Sequence, residues 1–225
     1  MDDAVAVDQT TGKLWLYRGP DYSALTRVMV GTGGWNSMKW LTGGDVTGDG
    51  IGDLIGVYTP DGSLRMYAGV AGGGLAAPVK IGTSGWNGLT DLTLTAPLAG
   101  DGRKDLVGTE ISTGKLWAYP INSDGHHGTR VEIGTGGWNG MTELMGGDFN
   151  GDGYGDVVGV EKSTGYLYLY PGTGSGGIGS RTKIGWSWNA MEDLAAVDGI
   201  SGDGTTDFLA TQKSNGVRYL YHSGA

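Results

Sequence analysis

The sequence predicts an all-β protein built from one repeated unit of about 51 residues. Loops rich in aspartate and glycine recur along the chain, and their central aspartates, at positions 49, 101, 152 and 203, lie 52, 51 and 51 residues apart. A second motif, a glycine followed by a run rich in Leu, Trp and Tyr, recurs at residues 12–17, 62–67, 114–119, 165–170 and 216–221. Helical periodicity is absent throughout, so these runs are predicted to be strands.

The loop at residues 148–156 has the residue types and spacing of a calcium-binding loop. Calcium takes six to eight oxygen ligands, and a glycine at position 6, here Gly153, permits the sharp bend that such a loop needs. Positions 1, 3, 5, 7 and 9 offer oxygens from Asp148, Asn150, Asp152, the backbone carbonyl of Tyr154, and Asp156. The apolar run 157–160 follows at once, so the loop is predicted to join two strands.

Three further loops vary this pattern. The loop at residues 45–53 is complete, with oxygens from Asp45, Thr47, Asp49, the backbone carbonyl of Ile51, and Asp53. The loop around Asp101 keeps Asp101 and Asp105 but lacks ligands at positions 1 and 3, so we expect an ordinary Asp-Gly turn there. The last loop keeps four candidate ligands, with one residue inserted after the first: Asp198, Ser201, Asp203 and Asp207.

The remaining parts of the unit complete a four-stranded sheet. Each Leu/Trp/Tyr run follows a polar turn, which predicts a hairpin, and its apolar residues on both faces predict a strand buried between neighbouring sheets. A variable loop and an outer strand follow. The glycine-rich loop 172–179 leads into a strand rather than a helix, which argues against nucleotide binding. An Ile-Gly-Thr-Gly-Gly-Trp-Asn element or a variant of it then ends the unit, at residues 30–36, 81–87, 133–139 and, shortened, 184–189.

Composition limits the class of protein. The 225 residues carry a net charge of −9, so the basic surface that nucleic-acid binding needs is lacking. No run of 18 apolar residues is present, and we expect no membrane span. Cysteine is absent, as in many secreted bacterial proteins. Met1 leads directly into Asp2 without a signal peptide, so either that segment was removed or the sequence begins inside a larger protein. We expect a single domain over residues 1–225, with repeat boundaries near 37, 88, 140 and 190.

Four-stranded units at this period are typical of β-propeller blades. With its Asp-Gly loops, the chain resembles FG-GAP/VCBS-type repeat propellers, the calcium-loop blades of integrin α-subunits and of many secreted bacterial proteins. The Gly-Gly-Trp-Asn element is similar to the motif of propeller lectins such as tachylectin-2. The resemblance implies a secreted, calcium-binding propeller, with sugar sites for N-acetylated sugars between adjacent blades.

The number of strands leaves more than one way to close the propeller. The chain provides three strands, then four, four and four, and then three, a total of 18, two short of five complete blades. We favour five blade positions. Four blades with overlapping ends, or closure by pairing with another chain as a homo-oligomer, are the alternatives, because an open strand edge promotes aggregation.

The Trp-Asn pairs are the candidate carbohydrate site. A flat indole can stack on the apolar face of a sugar, and an asparagine offers both a donor and an acceptor. The alternative is that the tryptophans are wedges that fill the space between blades. The candidate residues are Trp35, Asn36, Trp86, Asn87, Trp138, Asn139, Trp188 and Asn189.

Two other groups of polar residues are open to interpretation. Asp91, Glu143 and Asp193 share one position after the tryptophan, where the first copy has Trp40, and they could accept sugar hydroxyls or simply face the central channel. The His126-His127 pair is interpreted as a solvated loop tip.

No catalytic motif is present, since the carboxylates are best explained as metal ligands and no serine or cysteine nucleophile has a motif around it. We therefore predict a non-catalytic carbohydrate-binding module with glycans as partners. A protein-adhesion or structural domain attached to a secreted enzyme is the first alternative, and a glycan-active enzyme that uses the central channel is the second.

Overall fold

The computed structural model describes residues 3–19, 26–198 and 200–223. Within these residues the chain forms antiparallel sheets arranged as a five-bladed β-propeller, in which each sheet is a meander. The predictions of an all-β fold and of five blade positions are confirmed, and the four-blade alternative is wrong. The first and last sheets have three strands each and the middle three have four, as the repeat pattern indicates.

The strands of each blade follow one another along the chain. Blade 1 contains β1 (Ala4–Asp8), β2 (Lys13–Tyr17) and β3 (Val28–Gly31). Blade 2 contains β4 (Met38–Gly44), β5 (Asp53–Tyr58), β6 (Ser63–Tyr67) and β7 (Val79–Gly82). Blade 3 contains β8 (Leu89–Thr95), β9 (Asp105–Glu110), β10 (Lys115–Pro120) and β11 (Val131–Gly134). Blade 4 contains β12 (Met141–Gly147), β13 (Asp156–Glu161), β14 (Tyr166–Tyr170) and β15 (Thr182–Gly185). Blade 5 contains β16 (Met191–Asp198), β17 (Thr206–Gln212) and β18 (Arg218–Tyr221).

A single turn of 3₁₀ helix precedes each of the strands β4, β8, β12 and β16. These turns are Trp35–Ser37, Trp86–Gly88, Trp138–Gly140 and Trp188–Ala190, so they coincide with the Trp-Asn elements. No helix in the described part of the chain is both long and apolar enough to cross a membrane.

The core lies between the blades. The leucine near the start of the third strand in the first four blades (Leu14, Leu64, Leu116 and Leu167) is at most 1% exposed. The second strands of the middle blades are also buried over almost their whole length. A sheet that is apolar on both faces has to be covered on both faces, and stacking the blades around an axis achieves this.

The inner strands β4, β8, β12 and β16 pack side by side in this order. Each contains a bulge where its register with the second strand shifts. The bulge places Trp40, Asp91, Glu143 and Asp193 at φ values of 53° to 55°, a left-handed conformation that is uncommon for residues other than glycine.

The two end blades are incomplete within the described residues. The first sheet begins with β1 in the second-strand position, and the last ends with β18 in the third-strand position. Accordingly, β1 is only half-buried, and β18 is mostly exposed, with Tyr219 at 42% and Leu220 at 37%. Whether another chain covers these edges stays a prediction.

Candidate functional site: clefts between blades and acidic loops

Each Trp-Asn turn is held between two consecutive blades. The glycine before Trp86, Gly85, has a φ of 88°, and the Trp86 backbone N–H donates to the carbonyl of Gly62 in the hairpin of blade 2 at 3.1 Å. The indole lies against Gly82, where a Cβ atom would be 2.2 Å from its nitrogen. This contact, repeated at Gly31, Gly134 and Gly185, explains why the outer strands end in glycine.

The tryptophans form the buried floor of these junctions. Trp35, Trp86, Trp138 and Trp188 are 7–9% exposed. Each packs against a tyrosine of the next blade, with ring centroids 4.5–4.8 Å apart, in the pairs Trp35–Tyr67, Trp86–Tyr119, Trp138–Tyr170 and Trp188–Tyr221. A ligand in the junction would therefore reach only a small exposed part of the indole, together with the tyrosine beside it.

The neighbouring asparagines are exposed, and three of them tie the turn to the hairpin beside it. The Asn87 and Asn139 amides donate to the carbonyls of Thr59 and Ile111, each at 2.9 Å, and the Asn189 amide donates to that of Lys162 at 3.4 Å. Asn36 is exposed in the equivalent turn.

Two of the junctions open into clefts of the same construction. Cleft A, between blades 2 and 3, has a volume of about 620 Å³ and is defined by Trp86, Glu110, Tyr119, His127 and Arg130. Cleft B, between blades 3 and 4, has a volume of about 460 Å³ and is defined by Trp138, Glu161, Tyr170 and Arg181.

An arginine–glutamate pair forms one wall of each cleft. The Arg130 guanidinium lies 3.0 Å from the Glu110 carboxylate and 3.8 Å from the ring centroid of Trp117. Hydrogen bonds from the Thr113 hydroxyl and then from Arg130 lower the pKa of Glu110, so this wall stays charged on both sides at neutral pH. A planar guanidinium, a carboxylate and a phenol above an aromatic floor offer donors, acceptors and an apolar surface together.

Cleft B repeats this wall. Arg181 lies 3.1 Å from Glu161 and 3.9 Å from the ring centroid of Tyr168, and it donates to the Tyr170 hydroxyl at 3.5 Å. The Thr164 hydroxyl is the main cause of the lowered pKa of Glu161.

The other two junctions depart from this pattern. Beside Trp35, the glutamate position is occupied by Tyr58, with Arg65 stacked 3.7 Å from its ring centroid. Beside Trp188, the position is occupied by Gln212, and the turn is one residue shorter, with Ser187 at a φ of 64°. The added Trp186 in that turn is 74% exposed.

Sequence reasoning singled out the Trp-Asn pairs and missed the residues of the cleft walls. Glu110 and Arg130 are 20 residues apart and meet only because an outer strand folds back along its hairpin. His127 was assigned to a solvated loop tip, yet its ring lies 5.0 Å from that of Trp86 and lines cleft A.

The two complete acidic loops have nearly the same internal hydrogen bonds. In the loop at 45–53, the Asp45 carboxylate accepts the N–H groups of Gly48 and Gly50, at 2.7 and 2.9 Å. In the loop at 148–156, Asp148 accepts those of Gly151 and Gly153, each at 2.8 Å. Asp49 and Asp152 accept the N–H groups of Ile51 and Tyr154.

The last aspartate of each loop is buried and connects the end of the loop to its start. Asp53, Asp105, Asp156 and Asp207 are at most 6% exposed and accept a backbone N–H from the start of the loop. Asp53 and Asp156 also accept the N–H groups of Gly69 and Gly172 in the variable loop of the same blade. Burial raises the pKa of Asp156 to about 6.

Two observations test whether a cation fits these loops. The Thr47 hydroxyl, at position 3, is buried without a hydrogen-bond partner in the described structure. The Asn150 amide nitrogen, at the equivalent position, lies 3.1 Å from an Asp152 oxygen and 3.5 Å from an Asp156 oxygen, where a positive group is needed between two carboxylates. An oxygen without a partner, and a place between two carboxylates that is filled by a positively polarised group, both fit a loop that binds a hard cation. Over the described residues, however, no three Asp, Glu, His or Cys side chains converge as a metal-ligating group.

The fourth loop is arranged differently. Asp203 accepts hydrogen bonds from the hydroxyls of Thr205 and Ser201, which lower its pKa to about 2. Asp198 accepts from the Thr206 hydroxyl at 2.6 Å and lies 3.8 Å from the Lys104 ammonium of blade 3. Asp198 thus belongs to a contact between blades 3 and 5.

Comparison with known proteins identifies the repeat. The model of the FG-GAP-like repeat matches residues 98–158 and 148–210, which together span half of the chain. The protein therefore belongs to the family of FG-GAP-like repeat proteins, and the family resemblance is confirmed. No curated protein sequence matches the chain.

A solved propeller structure has the same fold. It is that of an Agrocybe aegerita lectin, described as specifically recognising non-reducing terminal N-acetylglucosamine. The match has a TM-score of 0.55 and 20% identity, and it covers 93% of this chain and 60% of the lectin chain. At this identity the similarity shows the fold alone, and the chain spans about 60% of the length of that lectin.

Proposed function

We propose that the protein is a non-catalytic glycan-binding propeller, with clefts A and B as its sugar sites. The repeated combination of a Trp–Tyr floor and an Arg–Glu wall carries this proposal. The paired rings offer an apolar surface for the faces of a pyranose ring. The guanidinium N–H groups that Glu110 and Glu161 leave unused can donate to a hydroxyl or an acetamido carbonyl, and the two carboxylates can accept from hydroxyls.

The ligand class follows from the same features. A propeller lectin of similar fold recognises terminal N-acetylglucosamine, which supports N-acetylated sugars as the first candidates here. Each cleft is open and would bind weakly. Two clefts on one rigid ring would bind a multivalent glycan surface about a hundredfold or more tightly than one cleft alone.

Calorimetry with N-acetylglucosamine tests the proposal. Arg130→Ala and Arg181→Ala each remove one wall, so each variant should lose one of two sites, and the double variant should lose binding by more than tenfold. Lys80→Ala is the matched control, because it removes an ion pair to Asp61 in blade 2, outside both clefts. If the double variant binds as tightly as the parent protein, the clefts are not the sites. A folded protein that binds no sugar on a glycan array would instead support the adhesion or structural role.

We further propose that the loops at 45–53 and 148–156 bind calcium, which neutralises their clustered carboxylates, as suits a protein that works outside the cell. The unpartnered Thr47 hydroxyl and the position of the Asn150 amide support this proposal. Calcium bound only by the folded state would add about 2.7 kcal/mol of stability at one hundred times its Kd.

Thermal melting in calcium and in EDTA measures this effect. Asp152→Ala should lower the melting temperature in calcium more than Asp101→Ala does, because the Asp101 loop lacks two ligands. The difference between the variants should vanish in EDTA. Equal midpoints of the parent protein with and without calcium would contradict the proposal.

A further inference from the structure

Cleft A contains a histidine where the equivalent blades have an aliphatic residue. In each middle blade, an isolated antiparallel β-bridge closes the variable loop. The second residue of this bridge is Leu75, His127 or Ile178. Leu75 packs against the hydrophobic cluster that contains Trp35, as Tyr67 does, and Ile178 packs against the cluster that contains Trp138, as Tyr170 does. The equivalent residues therefore belong to the hydrophobic clusters of their Trp–Tyr pairs, and of the three only His127 has a titratable side chain.

The hydrogen bond of His127 Nδ1 determines whether Nε2, the other ring nitrogen, donates or accepts. Nδ1 lies 2.9 Å from the carbonyl oxygen of Gly128, and since a carbonyl only accepts, Nδ1 carries a hydrogen in both charge states. The ring centroid lies 5.0 Å from that of Trp86 and 5.9 Å from that of Tyr119. Nε2 is then an acceptor when the ring is neutral and a donor when the ring is protonated.

The two charges in the wall of cleft A balance one another. They are Glu110 and Arg130, 3.0 Å apart, beside the neutral phenol of Tyr119. The loop of His127 also contains Asp124 and His126, 3.5 Å apart, of which His126 is charged only when protonated. Protonation of His127 therefore takes the walls of cleft A from neutral to a charge of about +1. In blade 4 the equivalent residue, Ile178, has no titratable group, and the lining of cleft B contains no histidine.

The neutral and protonated forms of His127 differ in their ability to bind a carboxylate. A sugar hydroxyl can donate or accept, so it can pair with either form of the imidazole, whereas a carboxylate only accepts. We propose that cleft A, if it binds sugars as proposed above, gains affinity for carboxylate-bearing sugars when His127 is protonated. Cleft B lacks this dependence on pH.

N-acetylglucosamine and N-acetylmuramic acid are matched probes, because they differ by one carboxylate-bearing substituent that stays ionised from pH 5.5 to 8. Arg181→Ala leaves cleft A to be measured alone, and Arg130→Ala leaves cleft B. In the Arg181→Ala protein, the affinity for the acid relative to the neutral sugar should rise about fivefold from pH 8 to pH 5.5, as expected of a partly exposed charge pair. In the Arg130→Ala protein this ratio should stay constant.

Exchanging the two side chains supplies the controls. His127→Ile, added to Arg181→Ala, should abolish the rise, and Ile178→His, added to Arg130→Ala, should create one. His126→Ala should retain the rise, since that ring lies outside the cleft. A constant ratio in cleft A, with both sugars bound, would overturn this inference alone. If neither sugar binds either cleft at any pH, the proposed function fails as well.

Discussion

The left-handed residues of the inner strands connect one blade to the next. The Asp91 carboxylate accepts the backbone N–H of Glu143 at 3.0 Å, and the Glu143 carboxylate accepts that of Leu194 at 3.0 Å. The bulge provides the positive φ that turns each side chain towards the following strand. The sequence left open whether these acids accept sugar hydroxyls or face the central channel. The structure places them on the inner strands, where Asp91 and Glu143 each accept a hydrogen bond from the next blade.

Asp91→Asn should stabilise the protein at pH 7 by about 0.5–1 kcal/mol, the range of single stabilising substitutions. Burial raises the pKa of Asp91, so its ionised form is disfavoured in the folded state. An asparagine keeps the acceptor for Glu143, avoids the buried charge and tolerates a positive φ. The penalty is full above the raised pKa and absent below the ordinary value of 3.8, so the gain should disappear on acidification.

Urea unfolding of the two proteins at pH 7 and at pH 3.5 measures this difference. Asp91→Ala is the matched variant, because it removes the charge and the acceptor together and leaves the half-buried N–H of Glu143 unpaired. It should cost about 1–3 kcal/mol. The Thr90 hydroxyl also donates to the Asp91 carboxylate, at 2.9 Å. If asparagine and alanine destabilise equally at pH 7, the ionised carboxylate itself stabilises the fold and the prediction is wrong.

At the scale of elements, the turn at Trp138, before the inner strand of blade 4, depends on one glycine of its Gly-Gly pair. Gly137 has a φ of 84° and begins the 3₁₀ turn of Trp138, whereas Gly136 has no such φ. Neither glycine has any atom within 4 Å of the position that a Cβ would take. The difference between them is therefore one of backbone conformation alone.

Gly137→Ala should destabilise the protein by about 1–2 kcal/mol, the cost of a left-handed conformation for an L-residue. Gly136→Ala should be neutral or slightly stabilising, because it restricts only the unfolded chain. For a chain of this size, each kcal/mol corresponds to a shift of about 2–4 °C in melting temperature. Differential scanning calorimetry measures the melting temperatures of the two variants. Equal shifts would show that the positive φ of Gly137 does not explain the need for glycine at this position.

The elements could be predicted from the sequence because each is specified locally and repeated. The third strands of the first four blades each bury a leucine, such as Leu116 in blade 3, and the turn of Trp138 begins at its own glycine, Gly137. The cleft walls could not be predicted in the same way, since Trp86 of cleft A comes from the turn after blade 2, whereas Tyr119 and the Arg–Glu wall come from blade 3. A signal was nevertheless present. Glu110 and Arg130 recur 51 residues later as Glu161 and Arg181.

At the scale of the whole molecule, the five sheets are not equally covered. Each middle sheet is packed between two neighbours and has all four strands, whereas in the described residues β1 lacks an inner neighbour and β18 an outer one. The valines of β1, Val5 and Val7, are half-buried, while Val158 and Val160 at the corresponding places in blade 4 are at most 1% exposed. In a repeat array, stability depends on contacts between neighbouring units, so the end blades should open first.

Hydrogen exchange followed by mass spectrometry should therefore show a gradient. Amides of β9 and β13 should be the most protected, and those of β1 and β18 should exchange at least tenfold faster, since local opening of an end blade breaks fewer interfaces than opening of the middle. The measurement should be repeated over a hundredfold range of protein concentration. If a second copy pairs with the exposed edge of β18, its protection will rise with concentration, and the loss on dilution will identify the interface. Uniform protection of all five blades at the lowest concentration would contradict the gradient, because it would mean that the ends are as well covered as the middle.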